Sequence, residues 1–143
     1  MTSPTMRALA VAVLFAQPLL AALSAGGPDT VRIWCFGGRT GAAHGNAITR
    51  DGALTHFAKP LNSDTVSTFL RNDPALADSV FAALERIRFR TLRHEGRAIM
   101  TCVLELRDAA GKHSVTWPAG SPPDAIEPAI AALRLAFGQR GWP

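Results

Sequence analysis

Cys35 and Cys102 are the only cysteines of this 143-residue chain, 67 positions apart (102 − 35), and each falls inside a run that alternates like a β-strand. Val31, Ile33 and Cys35 share one face of the run 31–36, and Met100, Cys102, Leu104 and Leu106 share one face of the run 98–107. Neither cysteine has a CxxC partner or a histidine at metal-ligand spacing, and two thiols alone make a poor zinc site. In an oxidising compartment the default for such a pair is one disulfide. The bond requires Cα atoms closer than about 7 Å, so the two runs must be adjacent or nearly adjacent in one sheet. Closing so long a loop contributes about 4 kcal/mol by restricting the unfolded chain.

The N-terminal segment supplies that compartment. Residues 1–25 carry Arg7, then an apolar run at 8–16, then the small residues Ala22, Ser24 and Ala25, which is the plan of a secretory signal peptide cleaved after Ser24 or Ala25. Gln17 and Pro18 interrupt the run after roughly nine apolar residues, short of the ~20 that a membrane span needs. No cysteine follows the small residues to carry a lipid. The chain therefore reads as a signal peptide at 1–25, a flexible leader at 26–30, one domain at 31–137 and a C-terminal tail at 138–143. It is expected to be secreted or periplasmic, with no stable membrane insertion after cleavage. A hydrophobic content of 48% with 18% charged residues excludes a chain disordered along most of its length.

Within the domain, residues 31–36, 46–50 and 53–57 read as strands, with Asp51-Gly52 joining the second and third through a two-residue type I′ turn. Ser63 can cap a short helix carrying Val66, Phe69 and Leu70 on one face. Asp73-Pro74 opens a second helix, with an N-cap acceptor followed by a preset φ, and Leu76, Val80, Leu84 and Ile87 form its apolar stripe. Strands at 98–107 and 113–117 follow, and then an acidic helix start at Asp124 and Glu127 with Ile126, Ile130, Leu133 and Phe137 facing the core. Pro128 is expected to delay or bend its first turn. The order βββ, one or two helices, ββ, helix gives an α+β domain: a mainly antiparallel sheet of about five strands with helices packed on one face.

No catalytic signature is present. His44, His56, His94 and His113 lack metal-ligand spacing, and no GxSxG elbow or SxxK appears. The chain reads as non-enzymatic, without cofactor or metal. The glycine-rich segment after the first strand does not match a phosphate-binding loop, and a strand rather than a helix follows it. It reads instead as an exposed recognition loop, with Gly37, Gly38, Arg39 and Thr40 as contacts and Trp34 or Phe36 at its base. Arg86, Arg88, Arg90, Arg93 and Arg97 make the one sharp charge anomaly, against only Glu85 and Glu95. A nucleic-acid partner would call for stacking aromatics or a groove-reading helix as well, and an exported protein rarely meets such a partner.

The first strand running into Gly37-Gly38 and Gly41, the helix closing in Phe89-Arg90-Thr91-Leu92, the strand pair around Gly111-Lys112-His113 and the proline-rich lead-in to the last helix resemble the emfourin family of small proteinaceous inhibitors of thermolysin-type metalloproteases. The resemblance spans most of residues 31–137 and rests on the order of elements. It implies a protein partner, a secreted metalloprotease, blocked sterically. The leading expectation is thus an exported protein-binding domain. The alternative is a periplasmic module that takes an anionic ligand or envelope component through the cluster of arginines from Arg86 to Arg97.

Overall fold

A computed structural model describes residues 27–138. The signal segment read at 1–25 and all of the tail beyond Gly138 lie outside the described residues. Six strands form one antiparallel sheet: β1 (Thr30–Gly37), β2 (Ala43–Thr49), β3 (Ala53–Lys59), β4 (Val66–Asn72), β5 (Met100–Asp108) and β6 (Gly111–Pro118), in the spatial order β4-β3-β2-β1-β5-β6. Two helices accompany it, α1 (Pro74–Arg86) and α2 (Glu127–Phe137), each beside a single 3-10 turn, at Phe89–Thr91 and Asp124–Ile126. The class is α+β, as the sequence implies. Order begins one residue before the expected domain start, because Thr30 already pairs with Thr49 and Arg107, and the carbonyl of Asp29 accepts the amide of Arg50.

The central ladder joins β1 to β5, and its register places Cys35 directly opposite Cys102. Their Cα atoms are 4.0 Å apart and the two sulfurs are bonded. The adjacency inferred from the cysteines is therefore present, as nearest neighbours. On the same sheet face Val31, Ile33, Ile48, Leu54, Leu104 and Val115 are fully or almost fully buried. Both helices lay their stripes on that face, through Val80, Phe81 and Leu84 of α1 and Ile130, Leu133 and Phe137 of α2. Asp73 caps α1 by accepting the amide of Leu76 at 3.1 Å, with Pro74 at the first helical position. Before α2, Pro128 leaves a 3-10 turn at Asp124–Ile126 where a regular first turn would stand, which is the expected delay.

Two expectations are corrected. Residues 66–72 are an edge strand, not a helix, which raises the strand count from about five to six. The apolar spacing of Val66, Phe69 and Leu70 fits a helix face, yet every residue of this strand is exposed, so no buried stripe selects helix over strand. Pairing with β3 decides it, with a register shift opposite Leu54 and Thr55 that leaves Leu70 as the extra residue. The β2–β3 connection is also not a type I′ turn. Among the described residues only Asn62 and Arg88 carry positive φ without being glycine, so Asp51 does not. The amide of Gly52 instead donates to the Thr49 carbonyl at 2.9 Å and Gly52 itself takes φ 102°, the form of a type I turn closed by a glycine.

The two sheet edges are treated differently. The β6 edge is strapped by the segment 94–96, where the Thr116 amide donates to the His94 carbonyl and Gly96 donates back to Thr116. The β4 edge has no such strap among the described residues, and is blunted by its own bulge.

Because the crosslink joins central strands far apart in sequence, Cys35→Ser and Cys102→Ser are each expected to lower unfolding free energy by about 2–5 kcal/mol. The double variant should cost no more than the larger single one plus a few tenths, since both remove the same bond. Urea denaturation of the three variants checks this, and additive losses would contradict it.

Candidate functional site

The β1–β2 connection stands at the end of the sheet directly beyond the disulfide. Gly37, the last residue of β1, takes φ 117°, and Gly38 and Gly41 take 71° and 62°. The Gly37 amide donates to the Ala42 carbonyl at 3.3 Å, closing the loop on itself, and the Gly38 amide donates to the Ile99 carbonyl at 2.8 Å, tying it to the start of β5. Glycine is required at 37 by space as well as by torsion, because a Cβ there would overlap the Ile99 carbonyl oxygen. Arg39 and Thr40 form the exposed tip. The Thr40 hydroxyl accepts the Ala42 amide at 3.4 Å, whereas the Arg39 guanidinium has no hydrogen-bond or ion-pair partner among the described residues.

Several apolar side chains at this end of the sheet are exposed. Ile99 is 83% exposed, Leu61 56% and Phe36 42%, and Met100 lies beside them, with its sulfur in reach of a Cβ at Gly38. Leu61 approaches from the β3–β4 loop near Gly41. Four large exposed apolar side chains thus stand at one end of the domain, Phe36 on the outer side of the sheet and Met100 on the side of the disulfide. Phe36 is legible in the sequence as the base of the loop. Leu61 and Ile99 are not, because they join it only through strand pairing. Met100 reads as a core residue of β5, but lies just outside the core, opposite Gly37.

Trp34 does not belong to the tip. It lies on the outer sheet face, across the backbone of Gly45, where a Cβ would collide with it. Its ring centroid is 6.5 Å from that of Phe57, and the Arg32 guanidinium lies 5.3 Å from the Trp34 ring and 4.5 Å from the Phe57 ring. Trp34, expected at the base of the loop, thus stands on the sheet two residues below Phe36. This outer face is less open than its lack of a helix implies, since Thr101, Val103 and Glu105 of β5 are all buried under their neighbours. Glu105 sits across from Arg32, with Arg107 and Lys112 each 3.9 Å from its carboxylate, and its Oε1 has no hydrogen bond.

The five arginines do not converge. Arg90 is held by the Asp108 carboxylate through Nε at 3.3 Å and through Nη2, which also donates to the Gly111 carbonyl at 2.9 Å. Arg93 folds back onto the carbonyls of Arg90 and Leu92. Arg86 closes the last turn of α1, where a cation favours the helix dipole. Arg88 and Arg90 line a common pocket, together with Arg50, which stands far from them in sequence. Arg97 is exposed on the approach to β5. The histidines are dispersed too: His56 bonds Asn46 at 2.9 Å, and His113 bonds the Leu92 carbonyl at 3.1 Å while meeting Phe89 edge-on. Among the described residues no three His, Cys, Asp or Glu side chains gather as a metal site would require.

Comparison with protein-family models and with curated proteins finds no match for this chain.

Two backbone positions make quantitative tests. Gly111 also has positive φ, 102°, but a Cβ there meets nothing within 4 Å. Gly111→Ala is therefore expected to cost about 1–2 kcal/mol from torsion alone, and Gly37→Ala at least about 1 kcal/mol more because its methyl also collides with backbone. Equal losses in thermal unfolding would contradict the close approach at Ile99. Arg88 stands at φ 51° and ψ 49°, a left-handed conformation that glycine adopts without strain. Arg88→Gly should accordingly raise stability by about 0.5–1 kcal/mol, net of the added freedom of the unfolded chain.

Proposed function

We propose that this chain is an exported, non-enzymatic protein-binding domain that presents the loop 37–40 to a partner, and that inhibition of a secreted metalloprotease is the form this binding takes. One observation carries the reading. Arg39, without a side-chain partner among the described residues, stands at the tip of a glycine loop at the same end of the sheet as the exposed Phe36, Leu61, Ile99 and Met100. Exposed apolar side chains at the same end as a single cation suit an interface whose centre is desolvated on contact and whose charge sets register.

The mechanism needs no reacting group. The loop is fixed by its bonds to Ala42 and Ile99, and the strands behind it are crosslinked at Cys35 and Cys102. A loop already ordered before contact surrenders little entropy on entering a cleft, so more of the contact energy appears as affinity. The glycines leave its backbone accessible to a groove that a bulkier loop could not enter. The disulfide supports export, because such bonds persist in oxidising compartments. Dispersal of the arginines, two of which are spent on internal partners, favours the loop over the cluster as the binding surface.

Assay of a panel of secreted thermolysin-type metalloproteases against micromolar protein tests this. At least one enzyme should lose activity with a saturable dose dependence. Arg39→Glu and Met100→Asp should each weaken that inhibition at least tenfold, while Arg97→Ala leaves it unchanged. A panel whose rates do not move, or inhibition that survives both loop-end variants, would overturn the proposal.

A further inference from the structure

At the opposite end of β1 from the loop, roughly 20 Å away along the strand, the helical side of the sheet contains a pocket of about 330 Å³. This volume is at the small end of the ~300–1,000 Å³ typical of small-molecule sites. Phe81 and Leu84 of α1, Phe89 of the 3-10 turn and Leu106 of β5 give it apolar walls. Arg50, Arg88 and Arg90 supply the cations, the first from the β2–β3 turn and the other two from the start of the segment that follows α1.

The three cations differ in what they have left to offer. The Arg50 guanidinium lies 4.0 Å from the centroid of the Phe81 ring and pairs with Asp29 at 3.4 Å and with Glu85 at 3.9 Å. Arg90 is committed to Asp108 and to the Gly111 carbonyl. Both are held in place by carboxylates, of which Glu85 and Asp108 also line the pocket. Arg88 has no side-chain partner among the described residues, and it occupies a left-handed backbone position where glycine would be less strained. A bulky cation kept on a strained backbone at the rim of an apolar pocket is placed for a ligand, since neither the torsion nor an internal contact calls for its side chain. Arg88 is the one guanidinium of the three without a carboxylate among the described residues, and above apolar walls it suits an apolar body with a single negative head.

We propose that this pocket binds a small amphiphilic monocarboxylate, with its carboxylate on Arg88 and its hydrocarbon body against Phe81, Leu84, Phe89 and Leu106. Arg50 and Arg90 flank the head and restrict its approach. The site shares no residue with the loop end and is independent of the partner proposed there.

Isothermal titration of the full chain with octanoate, and with the neutral octanamide, tests the assignment. Octanoate should bind with one-to-one stoichiometry and octanamide at least tenfold more weakly. Arg88→Gly should weaken octanoate at least tenfold while its melting temperature equals or exceeds that of the parent, so that loss of binding is separated from loss of fold. Arg39→Ala, at the other end of the molecule, should bind octanoate as the parent does. Absence of saturable octanoate binding at millimolar concentration, equal affinity for octanamide, or unchanged affinity in the Arg88→Gly variant would each overturn the proposal. So would binding confined to anionic phospholipid vesicles, which would assign the cation to a membrane surface instead of a free acid.

Discussion

The pairing of β1 with β5 is the constraint on which the rest of the structure depends. These strands run from Thr30↔Arg107 to Gly37↔Met100 and form the middle of a six-stranded sheet, although their cysteines stand 67 residues apart. Each brings its own hairpin neighbours, β2 to β4 on one side and β6 on the other, so this single long-range ladder joins two locally formed meanders. A contact of that separation is entropically expensive to close and slow to form. The disulfide lies in this ladder, where restricting the unfolded chain offsets most of that closure cost. It also fixes register, since a slip of one residue would turn Val31, Ile33 and Leu104 out of the core.

Both ends of β1 inherit their shape from that ladder. At the Gly37 end, crosslinked strands hold the loop against the Ile99 carbonyl, and the apolar side chains that the core does not use collect around it. At the Thr30 end a pocket lies between α1 and β5, bordered by arginines. The two ends differ in chemistry. One is convex, with backbone exposed and a lone Arg39 at its tip, which suits a partner's groove. The other is concave and apolar with cations at its rim, which suits a small anion.

What the sequence makes legible follows from where a residue's environment is local. Asp73 and Pro74 announce α1 because a cap is satisfied within four residues, and Ile126, Ile130, Leu133 and Phe137 announce α2 because one helix face meets one core. Cys35 and Cys102 announce a long-range contact because their chemistry leaves one economical outcome. Residues 66–72 mislead for the converse reason: with every side chain exposed there is no burial period to read, and the strand exists only through its partner β3. The candidate sites are legible in part. Gly37, Gly38, Arg39 and Thr40 are contiguous and recognisable, but Leu61 and Ile99 reach the loop through strand pairing, and Arg50 reaches Arg88 and Arg90 only once the β2–β3 turn meets the end of α1. The run of arginines looks like one surface because they are close in sequence. Asp108 and the backbone carbonyls claim two of them, and the chain reversal after α1 disperses the others.

The most direct test of this account is the state of the two cysteines in protein recovered from the medium or periplasm. Alkylation before denaturation, followed by proteolysis without reduction and mass spectrometry, reads it. The account predicts one crosslinked species joining the peptide of Cys35 to the peptide of Cys102, with no alkylated thiol at either position. Free, alkylated Cys35 and Cys102 in the folded protein would contradict it, and with it the clamp behind the loop at 37–40.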